Sequence, residues 1–518
     1  MLKVSAIVPV YNPGSDIDDC IRTLLDQSLP RDEYEVIFVD DGSTDGTGER
    51  LDALAAEHPH VRVDHIPNSG WPGRPRNVGI DMARGEFVYF VDNDDWIGHE
   101  ALERLYATAQ RTGADVVVGK VVGHGSGKSI PAGLFRQNRD DVDLHWNPLL
   151  WLLTPHKLFR RQLLDDEGIR FPEGRRRLED HPFVMHAYFH AKRVSVLADY
   201  PCYHWVLRDV TTNASMHSLD PASYYQNLRE VLDLIDEHTE PGEFRDRLYV
   251  RWYHGKVLRR MGGAVFAQWP EEVRRGRYDH ARPLALERFD ERLDQYVPFS
   301  LRLRSRLLRA DDYAGIVALA QAESKLRVTP RIREVRWHDG GVDLKVEARF
   351  GGGVLTFERR GDRVHWVPGE GLAGLREGSL DVTDAVAAPK MEIYLRAMAD
   401  RTDWPLRFER DARLEPAGDD GGLELVLTAD VTVSPEHIPG QLAAGAWSLV
   451  TAINVAGFKS PTTRLRHPHG TEPFFVHVDG TGKIEPQRAP IRQRVLGRAP
   501  WLVPAVRAAR RLRSRATR

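Results

Sequence analysis

Cysteine is nearly absent from this chain: Cys20 and Cys202 are its only two in 518 residues, and they stand far apart. That excludes a disulfide framework and a cysteine-rich zinc site, and it suits a reducing compartment. Uninterrupted apolar runs of about 18 residues, the length a membrane-crossing helix needs, are also missing, so no span is expected. The opening Met1-Leu2-Lys3-Val4 runs directly into a strand pattern, with no charged segment followed by an apolar one. No secretion signal is therefore expected, and the expected location is the cytoplasm. Lysine and acidic residues are lacking from 488 to 518, a stretch that contains ten arginines although the whole chain has a net charge of −3. An acidic body thus ends in a basic tail. Nucleic acid is not an expected partner, because the body is acidic and no recognition motif accompanies the arginines.

What is present first is alternation of strand-like and helix-like segments through residues 5 to 120, the pattern of a parallel α/β sheet. Ser5-Ala6-Ile7-Val8-Pro9-Val10-Tyr11 reads as a buried strand that stops at Asn12-Pro13-Gly14. A helix is expected from Asp16 to Ser28, with Ser15 as its N-cap. Val36-Ile37-Phe38-Val39 ends on Asp40-Asp41-Gly42-Ser43, and Phe87-Val88-Tyr89-Phe90-Val91 ends on Asp92-Asn93-Asp94-Asp95. Acidic residues therefore recur at carboxyl ends of strands, where open α/β sheets form their ligand crevice. Helical periodicity follows from Pro221, with Tyr225, Leu228, Val231, Leu232 and Ile235 on one face. After Arg327 the period becomes two, as in Val342, Leu344, Val346, Ala348 and Phe350, which predicts a β-sandwich of one or two units.

Asp92 and Asp94, two residues apart at a strand end, suit a divalent cation, since Mg²⁺ and Mn²⁺ take oxygen ligands and bridge to phosphate. A carboxylate at Asp40-Asp41 can accept the imide N–H of uracil. Between the two acidic turns, the arginines of Ser69-Gly70-Trp71-Pro72-Gly73-Arg74-Pro75-Arg76-Asn77-Val78-Gly79 can meet base or phosphate through planar donors.

These segments together resemble a known family. Val8-Pro9-Val10-Tyr11-Asn12, Val39-Asp40-Asp41-Gly42-Ser43-Thr44-Asp45, Arg76-Asn77-x-Gly79 and Phe90-Val91-Asp92-Asn93-Asp94-Asp95 are similar, in order and spacing, to the signature of family 2 inverting glycosyltransferases with the GT-A fold. The resemblance implies a UDP-sugar donor, with Pro9, Tyr11 and Asp41 bordering the uridine and Arg76 close to base or diphosphate. It further implies that Asp92 contacts ribose or metal, that Asp94 binds the metal, Mn²⁺ or Mg²⁺, and that a later Glu-Asp pair supplies the base. Leu178-Glu179-Asp180 fits that pair, with Asp180 taking the acceptor proton and Glu179 orienting the site. In Tyr203-His204-Trp205 and Arg208-Asp209, a segment that in this family closes over the diphosphate, His204 or Asp209 completes the metal shell. The remaining histidines are scattered without ligand spacing.

The whole architecture resembles wall teichoic acid glycosyltransferases: a GT-A domain over 1–220, a helical connector over 221–325, an immunoglobulin-like β-sandwich region over 326–486 and a basic tail over 487–518. In the connector, Lys256, Arg259 and Arg260 fall at i, i+3 and i+4, one face of a helix, suited to phosphates of a polyol-phosphate or glycan polymer. The sandwich is expected to assemble homo-oligomers or hold acceptor. The tail, with Trp501 and Leu502 among its arginines, is expected to contact anionic membrane. A sugar-phosphate nucleotidyltransferase would want a Gly-rich basic loop after the first strand, which Tyr11-Asn12-Pro13-Gly14-Ser15-Asp16 does not provide. A non-catalytic sugar-binding protein would not need Asp92, Asp94 and Asp180 intact.

Overall fold

The computed structural model describes residues 2–124, 134–206 and 220–487, apart from short stretches at 353, 370, 373–374, 376–379, 399–402, 417–421, 435–443, 469, 471 and 480–482. The chain divides into two compact units, one of Met1–Val257 with Arg275–Tyr296, the other of Leu258–Arg274 with Val297–Arg518.

The first unit is built on a nine-stranded mixed sheet. Its strands are β1 (Val4–Val10), β2 (Tyr34–Asp40), β3 (Val61–His65), β4 (Phe87–Phe90), β5 (Trp96–Ile97), β6 (Val116–His124), β7 (Arg139–Val142), β8 (Leu158–Arg160) and β9 (Val194–Val206). They lie in the order β3-β2-β1-β4-β8-β6-β9-β5, with β7 also on β9. β3, β2, β1 and β4 run parallel, whereas β8 is antiparallel to both β4 and β6. β1 and β2 are buried along their whole length, and so read as continuous apolar runs rather than alternating ones. Pro9 interrupts nothing, because pairing of β1 with β4 ends at Ile7 opposite Phe90.

Helices α1 (Asp18–Leu25), α2 (Thr47–Glu57), α3 (Gly73–Met82), α4 (Ala101–Thr112), α5 (Arg161–Asp166), α6 (Asp180–His190), α7 (Pro221–His238) and α8 (Glu243–Trp252) belong to the same unit. The helix expected from Asp16 starts later: Gly14–Ile17 is a 3-10 turn, and Ser15 caps nothing. The loop after β1 is tied across to the loop after β2 instead, with the Gly14 N–H donating to Asp45 Oδ2 at 2.9 Å and Asn12 N–H to Ser43 Oγ at 3.0 Å. Compactness groups the first helices after residue 221 with the first unit. The face Tyr225, Leu228, Val231, Leu232 and Ile235 of α7 is buried in the first unit, and Trp252 Nε1–H donates to His181 Nδ1 on α6 at 3.0 Å.

The second unit holds the helices Phe299–Arg309 and Tyr313–Ser324 and two antiparallel sheets. Arg327–His338, Gly341–Gly351 and Leu423–Val433 pair in one; Gly445–Val455 is central to the other, beside Lys390–Ala397 and Phe475–Val478. The alternation of Val342, Leu344, Val346, Ala348 and Phe350 is the buried face of its strand, as period two requires. Among the described residues no helix is long and apolar enough to cross a membrane.

Candidate active site

The carboxyl ends of β1, β2 and β4 converge on one rim of the sheet, and α3 is pressed against it. A Cβ on Gly79 would meet Ile7 Cγ2 of β1 at 2.3 Å, so only glycine lets the helix approach so closely. Two residues of the preceding turn use that closeness. Asn77 clamps the backbone of Phe171, donating from Nδ2 to the carbonyl and accepting the N–H on Oδ1, each at 2.8 Å. Arg76 reaches the end of β4, where its guanidinium donates to Asp92 Oδ1 at 2.8 Å.

Arg76, expected close to base or diphosphate, is 4% exposed. Its Nη1 stands 3.8 Å from both Glu179 Oε1 and Asp180 Oδ1, and its plane lies over the Phe171 ring. Nε and Nη1 have no hydrogen-bond partner among the described residues. One buried cation therefore faces three carboxylates contributed by β4's end and the start of α6.

Asp92 accepts from His156 Nε2 at 3.1 Å on its second oxygen. Burial resists its ionisation, but His156 and Arg76 outweigh that and hold the carboxyl well below the usual range. Asp95 is turned inward, 1% exposed, accepting from Tyr203 O–H at 2.6 Å and Val206 N–H at 2.7 Å. Burial, then the charges of Asp94 and Asp92, push its carboxyl well up. Asp94, half-exposed, is left with Asp92 at the mouth of the turn. Ligand-type atoms of Asp92, Asp95 and His156 lie within 4.8 Å of one another, and carboxylate oxygens are the donors that Mg²⁺ and Mn²⁺ take, so this group, which does not include Asp94, is one that could hold such an ion.

Asp180 opens α6, two residues after Leu178, whose φ of +67° lies in the left-handed region that a bulky residue avoids. That backbone kink turns Glu179 and Asp180 toward Arg76. Burial, then the adjacent Glu179 charge, raises the Asp180 carboxyl to about 8. Lys157, fully buried, donates to the Thr154 carbonyl, and burial lowers its ammonium to about 7 against the opposing pull of Asp180. His156 and Lys157 sit in a loop with no periodic or motif signal, and sequence reading missed both. His156 is located by its ring, stacked on Tyr203 with centroids 3.9 Å apart.

Of the residues expected beside the uridine, Tyr11 is half-exposed beyond the end of β1, whereas Pro9 is buried inside the strand. Asp41 is 4% exposed, and its two oxygens hold Ser69 N–H at 2.7 Å and Ser69 O–H at 2.9 Å, anchoring the loop that leads into α3. His204 does not reach the acidic turn. It stacks on Trp96 with centroids 3.4 Å apart and shares a 2.8 Å hydrogen bond with His124, and burial lowers it to about 3. Strand alternation explains the difference: Tyr203 faces Asp95, so its neighbour faces the other way. Asp209 and the tail from 488 lie outside the described residues. Lys256 lies in a π-helical turn, Tyr253–Val257, and Arg259 and Arg260 in a 3-10 turn, Leu258–Met261, so the expected α-helical face does not form. Gly255, Gly262 and Gly263 make a regular helix costly here.

Residues 5–171 match the profile of glycosyl transferase family 2, and residues 221–320 that of the glycosyl transferase TarS linker domain. The chain is 32% identical over 329 residues to a poly(ribitol-phosphate) beta-glucosyltransferase of Bacillus spizizenii, covering 63% of this chain and 51% of the relative. It is 30% identical over 239 residues to the poly(ribitol-phosphate) beta-N-acetylglucosaminyltransferase TarP of Staphylococcus aureus, covering 45% of this chain and 72% of that protein. The crystal structure of S. aureus TarS 1–349 in complex with UDP-GlcNAc superposes with a TM-score of 0.56 at 28% identity, covering 66% of this chain and 96% of that one. The chain spans about half the length of the first of these relatives. The ordered strand-end motifs, the α/β sheet that presents them and these matches agree: the chain belongs to glycosyl transferase family 2.

Proposed function

We propose that the protein is an inverting glycosyltransferase that moves a hexose or N-acetylhexosamine from a UDP-sugar to a hydroxyl of a polyol-phosphate polymer. The observation that carries this reading is the buried Arg76, which joins the strand-end carboxylate Asp92 to the Glu179-Asp180 pair. A donor-holding turn and a proton acceptor are thereby held on opposite sides of one fixed charge. The half-exposed Tyr11 ring offers a face for the uracil.

In the reaction, the acceptor oxygen attacks the anomeric carbon from the side of Asp180, and its proton passes to that carboxylate. The bond from the anomeric carbon to the diphosphate breaks, and UDP leaves with the electron pair. Asp92 and Asp94 would hold the divalent ion, which supplies positive charge to the diphosphate. Glu179 and burial keep the affinity of Asp180 for a proton high enough to compete for one from a hydroxyl. Arg76 prevents the three carboxylates from repelling one another out of position.

For the acceptor, support comes from relatives named for poly(ribitol phosphate) and from an arginine-lined cleft of about 330 Å³ in the second unit. Arg327, Arg331, Arg333 and Arg349 line it, with Glu347 and Glu424 as the acidic members. Arginine's planar donors suit phosphate oxygens. The arginine-rich tail adds a proposed peripheral contact with anionic lipid on the cytoplasmic face. Removing 488–518 is then expected to release the protein from phosphatidylglycerol vesicles, and unchanged sedimentation with them would refute the contact.

Incubation with radiolabelled UDP-sugars and Mn²⁺ or Mg²⁺, with and without poly(ribitol phosphate) or poly(glycerol phosphate), tests the reading. Polymer-dependent label transfer that stops on chelation is expected. Transfer from no UDP-sugar to either polymer would overturn it, and transfer that survives chelation would remove the metal role of Asp94.

A further inference from the structure

The far end of α6 carries a second constellation. His186 and His190 stand four residues apart, hence on one face of the helix, and His238 is the last residue of the neighbouring α7. Ligand nitrogens of the three lie within 4.8 Å of one another. The group lies toward the end of α6 opposite Asp180: ten residues of helix, about 15 Å, separate His190 from that residue.

The hydrogen bonds around this group fix which nitrogens carry protons. His238 Nδ1 faces the Leu234 carbonyl at 2.9 Å, and a carbonyl only accepts, so that nitrogen holds its hydrogen. His190 Nδ1 faces the Glu167 carboxylate at 2.8 Å and donates to it in the same way. Each neutral ring is then left with a bare lone pair on Nε2. Yet those two Nε2 atoms face each other at 2.9 Å. Two lone pairs at that separation repel unless a positive centre lies between or beside them. The rings of His186 and His190 have centroids 4.8 Å apart, which brings a third imidazole to the same point. Both α6 and α7 also end here, and the partial negative charge of helix carboxyl ends favours a cation.

We propose that His186, His190 and His238 bind one divalent transition-metal ion of zinc-like preference, with a fourth position open to water. Imidazole nitrogen is the donor such ions select, and Mg²⁺ does not. Nδ1–H donation to a carboxylate and to a backbone carbonyl is the arrangement that orients metal-binding histidines and raises their basicity. The ion would cross-link α6 to α7 and so fix the helix whose first residue is Asp180. The inference stands on these contacts alone and does not depend on the transferase reading.

The test uses the full chain, stripped with EDTA, dialysed into excess Mg²⁺ to occupy hard oxygen sites and titrated with Co²⁺. One equivalent with the intense visible absorption of low-coordinate, nitrogen-ligated cobalt is expected, displaced by Zn²⁺. The band is expected to vanish in His186→Ala and His238→Ala and to persist in Asp94→Asn. Zn²⁺ is expected to raise the melting temperature of the wild type by about 5 °C at a hundredfold excess over Kd. No band and no thermal shift in the wild type would overturn the proposal and leave a shared proton between the two Nε2 atoms. A band that survives in both histidine variants would overturn it equally. If an alanine variant does not fold, His190→Gln and the wild-type titration decide.

Discussion

Asp180, as the proposed base, is caught between two demands, since a base must be deprotonated to act but must hold a proton firmly enough to take one. Its carboxyl at about 8 reflects burial first and Glu179 second. Transfer should therefore increase as pH rises through about 8 in kcat/KM, which reports the free enzyme. Glu179→Gln removes the like charge and should move that limb to lower pH; a limb that does not move would place the base elsewhere. Asp180→Asn should lower kcat by about 10²–10⁴-fold with donor affinity retained, measured by label transfer and calorimetry. The same change should affect stability with a definite sign. A carboxyl raised in the folded state is a neutral contribution below its unfolded value near ~3.9 and an increasing loss as pH climbs toward the folded value. Asp180→Asn should accordingly stabilise the fold by on the order of 1 kcal/mol at pH 9 and by little at pH 4, read from denaturant titrations. Equal stability at both would separate the residue from the buried charge set.

At the scale of elements, α3 is the keystone of the site. Arg76→Leu would leave Asp92, Glu179 and Asp180 without their cation and should cost about 3–5 kcal/mol, measured by urea unfolding. Arg76→Lys keeps a charge but not the planar fork, and should lose less stability than donor binding. How far such elements were legible differs with their physics. The strands β1, β2 and β4 showed in the sequence because both faces are buried, and the acidic turns because they end those strands. The packing face of α7 showed through its period of 3.6. Arg76 was legible as a residue but not as a partner of Glu179, a hundred positions away, because spacing carries no information on which side of the rim a guanidinium lies. His204 was misread for a related reason: neighbouring strand residues face opposite ways, and Tyr203 had already taken the inward side. His186 and His190 were passed over although their spacing is helical, since the third histidine comes from another helix. Charge reversal of Arg327 and Arg331 in the second unit should lower transfer to polymer at least tenfold and spare donor hydrolysis; equal loss of both would remove the cleft from acceptor binding.

For the whole molecule, we propose that the two antiparallel sheets assemble copies of the chain. Light scattering should then show an oligomer for the full chain and a monomer for one ending at Ser324; the same oligomer in both would assign assembly to the first unit. The change of periodicity at residue 221 is where the TarS linker profile begins, while compactness groups α7 and α8, with their buried apolar faces, in the first unit. The path of the chain has a further consequence. It leaves the first unit after Val257, returns at Arg275 and leaves again after Tyr296, so three peptide links join the two units. A protease that nicks any one of them leaves two fragments with no covalent bond between them, at least one of which carries a segment that packs within the other's unit, so packing alone holds them together. No single cut, and no single gene junction, can therefore exchange the first unit for another while keeping both cores whole.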